Sequence, residues 1–236
     1  MKAYDKKDVL FLRFSMKKYA IIVAAGSGSR MNSKIPKQFM SLHGKPLFIY
    51  ALNVFLESDN DLQVILLIPE NIKVDIHSLL KFAFDVNRIK AVIGGNSRFE
   101  SVSNGLIHVP DDSVVFIHDA VRPFITASFI DYLYKTTLAH GCAIPVIDMS
   151  DSIRYVDSHK NFMVDRNLYK AVQTPQVFVS EKIKEAYKVA PHSNFTDDAS
   201  VFESNNNSIF LCEGLKENIK ITYPEDFNWA EYKLST

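Results

Sequence analysis

Short apolar runs alternate along this chain with stretches in which apolar residues recur every three or four positions, from Tyr19 to near the end. A strand-length run bounded by turn residues reads as a buried strand, and the longer spacing marks one face of a helix. Residues 19–25, 64–68, 89–93, 114–118 and 142–146 predict strands. Between them Leu47, Ala51, Val54 and Phe55 share one helical face, and Val102 and Leu106 share another within 101–107. Phe129, Leu133 and Thr137 mark a third helix, which Thr126 can cap. Further on, helices are predicted over 180–189 and after Asp197-Asp198, with strands at 209–211 and 218–221. A last helix opens at Pro224-Glu225-Asp226, where proline and acids suit a first turn. Such alternation predicts an α/β fold with a doubly wound, mostly parallel sheet.

The rhythm breaks over residues 147–167. This stretch is polar, alternates over Ser152-Ile153-Arg154-Tyr155-Val156, and carries a hairpin-like turn at Asp157-Ser158-His159-Lys160-Asn161. A connection that long is seldom structureless, so it predicts a β-arm projecting from the domain. Residues 1–15 precede Met16-Lys17-Lys18-Tyr19 with only a broken apolar stretch and two aspartates. They are expected to be an extension outside a single domain spanning 16–236. A secretory signal needs a longer apolar segment, and transit peptides avoid acids.

Composition narrows the field. The chain has 236 residues, 47% hydrophobic and 23% charged, with zero formal charge. That is enough for one full core, and it offers no global basic field for nucleic acid. The apolar runs are strand-sized, which excludes a membrane-spanning helix. Cys142 and Cys212 lie far apart in apolar surroundings and read as buried free thiols of a reducing compartment, which points to the cytoplasm. The histidines show no zinc-binding spacing.

Candidate chemistry begins where the first strand runs into Gly26-Ser27-Gly28-Ser29-Arg30, followed by Pro36-Lys37-Gln38. A glycine turn after a buried strand brings bare backbone N–H groups against a phosphate, and the cations add charge where a polyphosphate would lie. Gly26 has no Walker A partner, and the dinucleotide pattern begun by Gly26 and Gly28 meets Met31 where its third glycine belongs. Taken alone, the loop fits a phosphate site and an ordinary connection equally well. In a doubly wound sheet, ligands gather at the carboxyl ends of the strands, and there Gly26, Gly94-Gly95 and Asp119 would meet. His118 should point to the opposite face from Asp119 and is expected to be structural. Asp197-Asp198 are expected to cap a helix, and Lys45 and Lys90 to be solvated.

Five segments then accumulate in order. They are Ala24-Ala25-Gly26-Ser27-Gly28-Ser29-Arg30-Met31 with Pro36-Lys37-Gln38; Gly94-Gly95-Asn96-Ser97-Arg98 with Ser101-Val102; His118-Asp119-Ala120-Val121-Arg122-Pro123; Thr174-Pro175-Gln176; and Asn218-Ile219-Lys220. Together they resemble the 2-C-methyl-D-erythritol 4-phosphate cytidylyltransferases, over about residues 19–234. The resemblance implies a Rossmann-like nucleotidyltransferase sheet and the coupling of methylerythritol 4-phosphate to CTP with Mg²⁺. It also implies roles: Arg30 and Lys37 at the α-phosphate, Lys220 on the attacking phosphate, and Asp119 on the metal. Ala24, Ala25 and Gly26, with Gly28 in the same loop, would join Gly95, Asn96 and Ser101 around the nucleotide. Ala120, Arg122 and Thr174 would line the sugar-phosphate pocket. A homodimer with exchanged arms is implied, with Arg166 reaching the neighbour's substrate. One departure stands out: the family's arm opens P-V-x-D-T, but here Met149 follows Asp148. The match resumes at Asp151-Ser152-Ile153-Arg154, which makes Ser152 the expected hydroxyl donor.

Nucleotidyl transfer needs alignment and charge stabilisation more than covalent help, and a phosphate oxygen is already a nucleophile. The absence of a Ser-His-Asp pattern is therefore no objection. Three alternatives stay open. A ribitol 5-phosphate cytidylyltransferase shares the motifs, and a sugar-1-phosphate nucleotidyltransferase shares the glycine-rich start. A non-catalytic nucleotide-binding protein would have no need of both Lys37 and Lys220.

Overall fold

In the computed structural model, residues 16–26, 35–70, 75–192 and 195–235 are described; the expected extension over 1–15 lies outside them. In chain order the strands are β1 (Lys17–Val23), β2 (Ser41–Leu42), β3 (Lys45–Pro46), β4 (Gln63–Ile68), β5 (Ile89–Ile93), β6 (Ser113–Asp119), β7 (Cys142–Asp148), β8 (Ile153–Val156), β9 (Asn161–Val164), β10 (Lys170–Val172), β11 (Gln176–Val179) and β12 (Leu211–Glu213). The helices are α1 (Leu47–Ser58), α2 (Ile76–Leu80), α3 (Arg98–Leu106), α4 (Ala127–His140), α5 (Ser180–Ala186), α6 (Asp198–Ser204) and α7 (Pro224–Ser235).

The main sheet runs β10-β7-β11-β6-β1-β4-β5, with β12 added beside β7. β1 pairs in parallel with both β4 and β6. The chain therefore winds outward from β1 through β4 to β5, then returns to lay β6 on the other side of β1. This reversal opens a crevice at the carboxyl ends of β1 and β6, where ligands of open α/β sheets bind.

Alternation along the strands sorts side chains into two layers. Ala20, Ile22, Leu66, Val114 and Phe116 meet Phe55 of α1 and Leu133 of α4. Ile21, Ile65, Leu67, Val115 and Ile117 meet Val102 and Leu106 of α3, Ile183 of α5 and Phe202 of α6. Strands buried on both faces show as unbroken apolar runs, which is why these were legible in the sequence. Each such Phe or Ile contributes roughly 1.5–3 kcal/mol through burial. A third cluster joins α7 to Val121 and Ile221. As expected, Thr126 caps α4 by accepting from the Phe129 N–H, and Gly141 closes that helix at φ 87°.

Three expectations are corrected. Residues 218–221 form no strand, because their backbone is claimed by side chains: Arg122 and Gln173 donate to the Asn218 carbonyl, and Lys37 to that of Ile221. The strand expected at 209–211 lies two residues later, as β12. The helix expected over 180–189 ends at Ala186, where Tyr187 turns onto a ring stack with Phe99.

β10 and β11, both antiparallel to β7, are one run interrupted. Val172 faces Val146 and Val177 faces Ala143, so residues 173–176 stand opposite only 144–145. This two-residue excess is a bulge, which bends a strand and re-aims its side chains. Beyond β7 the hairpin β8–β9 forms the projecting arm, closed by Asp157, whose carboxylate accepts from the His159 and Lys160 N–H groups.

Candidate active site

Three carboxyl-end segments build the larger cavity. After β1 the chain turns through Ala24, Ala25 and Gly26, and after β5 it turns through Gly94-Gly95 into α3. The two turns touch. A Cβ on Gly94 would lie 2.4 Å from the Ala25 Cβ and 2.8 Å from Ser101 Oγ, so only glycine permits the approach. Ser101 Oγ accepts from the Gly95 N–H (3.0 Å) and donates to the Ser97 carbonyl (2.8 Å), fixing the turn to the start of α3. The third segment is the short 3-10 turn Lys37–Phe39, where Lys37 and Gln38 are both buried. Lys37 Nζ donates to the Ile221 carbonyl at 2.7 Å. The cavity they enclose is about 430 Å³ and is lined also by Asn96, Arg98, Asp119 and Lys220.

Asp119, at the carboxyl end of β6, is the electrostatic centre. Lys220 Nζ lies 2.7 Å from one carboxylate oxygen, Arg98 Nε 3.5 Å from the other, and Arg122 Nε 4.0 Å away. Burial alone would raise the Asp119 carboxyl; the charges of Arg98, Lys220 and Arg122 outweigh it and hold the group far below the usual carboxylate range. Asp119 is therefore ionised at any working pH.

Arg98 opens α3, a position where the helix dipole disfavours a cation. It is held there by Asp198, fully buried at the first turn of α6, through paired bonds of 2.8 and 2.7 Å, with the Tyr187 hydroxyl donating to the same carboxylate at 2.6 Å. Of the two aspartates expected as caps, Asp197 does cap α6, in a capping box with Ser200. Asp198 does not; it is the buried counter-ion of Arg98.

A second cavity of about 240 Å³ lies on the far side of the same ion pairs, bounded by Arg98, Asp119 and Lys220 together with Arg122, Thr174 and Asp197. The bulge at 173–176 organises it. Gln173 donates to the Leu215 carbonyl and accepts from the Leu215 N–H, bracing the segment that carries Lys220. Gln176 donates to Asp197 and accepts from the Ala199 N–H. Thr174 Oγ1 accepts from the Asp119 N–H (3.0 Å) and lies 3.1 Å from His118 Nδ1. His118 Nε2 sits 3.0 Å from the Arg122 carbonyl, which can only accept, so Nε2 carries the hydrogen and Nδ1 accepts from Thr174. Burial lowers this imidazole to about 4, so the ring is neutral, as its expected structural role requires.

The sequence-derived residues thus fall into groups. Ala25, Gly26, Lys37, Gly95, Asn96 and Ser101 line the larger cavity, Arg122 and Thr174 the smaller, and Asp119 and Lys220 both. Gly28 and Arg30 lie outside the described residues. Ala24 and Ala120 are buried backbone positions that line neither cavity: Ala24 N–H bonds to Leu67 and Ala120 N–H to Val23. Ser152 and Arg166 are exposed on the arm, away from both cavities of their own chain. Sequence reasoning gave no role to Arg98, Gln38, Gln173 or Gln176, and took Asp198 for a cap. A cation at a helix start was the available signal for Arg98; the glutamines, which bond to backbone or cap groups, carry no such mark.

Two cationic cavities sharing one wall at the switch point of a Rossmann-like sheet define a nucleotidyltransferase. The fold matches solved structures of 4-diphosphocytidyl-2C-methyl-D-erythritol synthase from Anaerococcus prevotii, with TM-score 0.82, 26% identity and coverage of 96% of this chain and 99% of that one. It also matches 2-C-methyl-D-erythritol 4-phosphate cytidylyltransferase from Thermus thermophilus, with TM-score 0.76, 25% identity and coverage of 94% and 100%. The family model for 2-C-methyl-D-erythritol 4-phosphate cytidylyltransferase matches residues 18–236. Relatives bearing that name from Phocaeicola vulgatus and Bacteroides thetaiotaomicron are 39% and 43% identical, over 92% and 89% of this chain and 99% and 96% of their own lengths. This chain belongs to the 2-C-methyl-D-erythritol 4-phosphate cytidylyltransferase family.

Proposed function

We infer that the protein carries out the reaction its family is named for, transfer of the cytidylyl group from CTP to 2-C-methyl-D-erythritol 4-phosphate, in isoprenoid precursor synthesis. The observation that carries the reading for this chain is the shared wall of Arg98, Asp119 and Lys220. It lets an anion in each cavity approach the other across common charges. An acceptor phosphate oxygen attacks the α-phosphorus of CTP, the bond to the β-phosphate breaks, and pyrophosphate departs. Lys37, together with Arg30, stabilises the charge that develops at the α-phosphate, and Lys220 draws in the attacking phosphate. Arg122 binds the acceptor phosphate from the second cavity. Base recognition is assigned to the backbone of the 24–26 turn and of Gly95-Asn96, beside Ser101.

Asp119 fits Mg²⁺ as a single hard, ionised carboxylate. Among the described residues no group of three metal-ligating side chains is present, and Mg²⁺ is commonly bound by one or two carboxylates plus substrate phosphates. When bound, the ion would neutralise triphosphate charge and polarise the α-phosphate.

The arm supports a homodimer with exchanged arms. Val156 and Met163 are exposed on it, as are Tyr155 and Phe162, whose rings stack at 4.9 Å. Exchange would bring Arg166 and Ser152 to the neighbour's acceptor. No described helix is long and apolar enough to cross a membrane, and we expect the protein to work in the cytoplasm.

Pyrophosphate release, followed with CTP and each acceptor in turn, tests the reading. Release is expected with methylerythritol 4-phosphate and far less with ribitol 5-phosphate. Preference for ribitol phosphate would reassign the acceptor, and no release with either would sink the proposal.

A further inference from the structure

Gln38 sits beside Lys37 in the 3-10 turn and is 3% exposed. Its Nε2 donates to two carbonyls of the turn after β1, those of Ala24 at 2.7 Å and Gly26 at 2.6 Å. Both partners can only accept, so the side-chain amide has one possible orientation. A trans peptide points its N–H opposite its C=O. Fixing the Ala24 carbonyl therefore fixes the peptide plane it shares with the Ala25 N–H, and so the direction of that N–H, while the second bond holds the Gly26 carbonyl. The neighbouring Lys37 is tied by its own side chain to the Ile221 carbonyl, next to Lys220. A single short turn thus links the β1 loop, a cavity lysine and the segment bearing the second lysine.

We propose that Gln38 is a positioning residue for the nucleotide: it clamps the 24–26 turn in register with Lys37, so that backbone and lysine meet CTP as one preset surface. This rests on reading the larger cavity as the CTP site. Gly94 lets its own turn pack against Ala25 from one side, and Gln38 holds the Ala24 and Gly26 carbonyls from the other.

Gln38→Met keeps the length and removes both bonds; Gln38→Glu sets a carboxylate against two carbonyl oxygens. Calorimetric titration with CTP should show affinity ten- to thirtyfold weaker in Gln38→Met, the size expected for two modest hydrogen bonds, and weaker still in Gln38→Glu. KM for the acceptor phosphate should stay within about twofold of wild type. A merely structural residue would instead lower the melting temperature and leave CTP affinity unchanged, or weaken both substrates alike, and either result overturns the proposal. In the unmodified protein the Gln38 side-chain amide protons should exchange slowly with solvent and shift on adding CTP, but not on adding acceptor alone; fast exchange would mean that the clamp is not made. If the wild type itself binds no CTP, the parent reading fails. If it binds CTP and Gln38→Met binds as well, only the clamp falls.

Discussion

His118 and Asp119 are adjacent, yet the fold pushes both of their proton affinities down for unlike reasons. Burial strips the imidazole of water and lowers it to about 4, whereas three cations overcome burial at the carboxylate. For His118 the unfolded chain takes up a proton near pH 6.5 and the folded chain does not until about 4. Stability therefore falls as pH drops through that window, by about 3 kcal/mol in total. Urea unfolding at pH 7 and pH 4.5 should show this loss in wild type and a flatter profile in His118→Gln; equal profiles would place its source elsewhere. Asp119 behaves differently: its stabilising contribution is present above the ordinary carboxylate range and is lost only as pH falls below it. Asp119→Asn keeps the shape and removes the charge, so the Mg²⁺ concentration for half-maximal turnover should rise severalfold. An unchanged titration would mean that substrate phosphates alone hold the metal.

At the scale of elements, α3 and α6 are bound together at their first turns by Arg98 and Asp198. Because Asp198 is fully buried, Arg98→Met leaves an anion whose remaining partner among the described residues is Tyr187, and should cost roughly 3–5 kcal/mol in chemical unfolding. Adding Asp198→Leu to Arg98→Met should return much of that loss, since the stranded charge is then gone. A double variant no more stable than the single would contradict this account. None of it could be read from periodicity. The sequence announces strands such as β4 and β6 because both of their faces are buried. The bulge between β10 and β11 breaks the run that would have announced a strand, and residues 218–221 look like one although side chains hold their backbone. The candidate site was legible where chemistry requires a rare feature, a glycine turn or a strand-end acid. It was illegible where a glutamine braces backbone, because that depends on a neighbour distant in sequence.

For the whole molecule, the arm decides whether a catalytic site is made by one chain or two. With arms exchanged, Arg166→Ala and Lys37→Ala should each be nearly inactive, and mixing the two chains should restore activity, since each heterodimer holds one site without a lesion. If Arg166 serves its own chain, every site keeps a lesion and mixing restores nothing. The wall between the cavities has a further consequence of the same breadth. Lys220 is bonded to Asp119, and both line the two cavities. With CTP in one and the acceptor in the other, as proposed, whichever arrives first would redistribute the charges that the second meets. The two affinities are thereby linked, and linkage is reciprocal: CTP must change the affinity for the acceptor by the same factor by which the acceptor changes that for CTP. The strength of that coupling is then set in one ion pair, and Lys220→Met should erase both halves of it together.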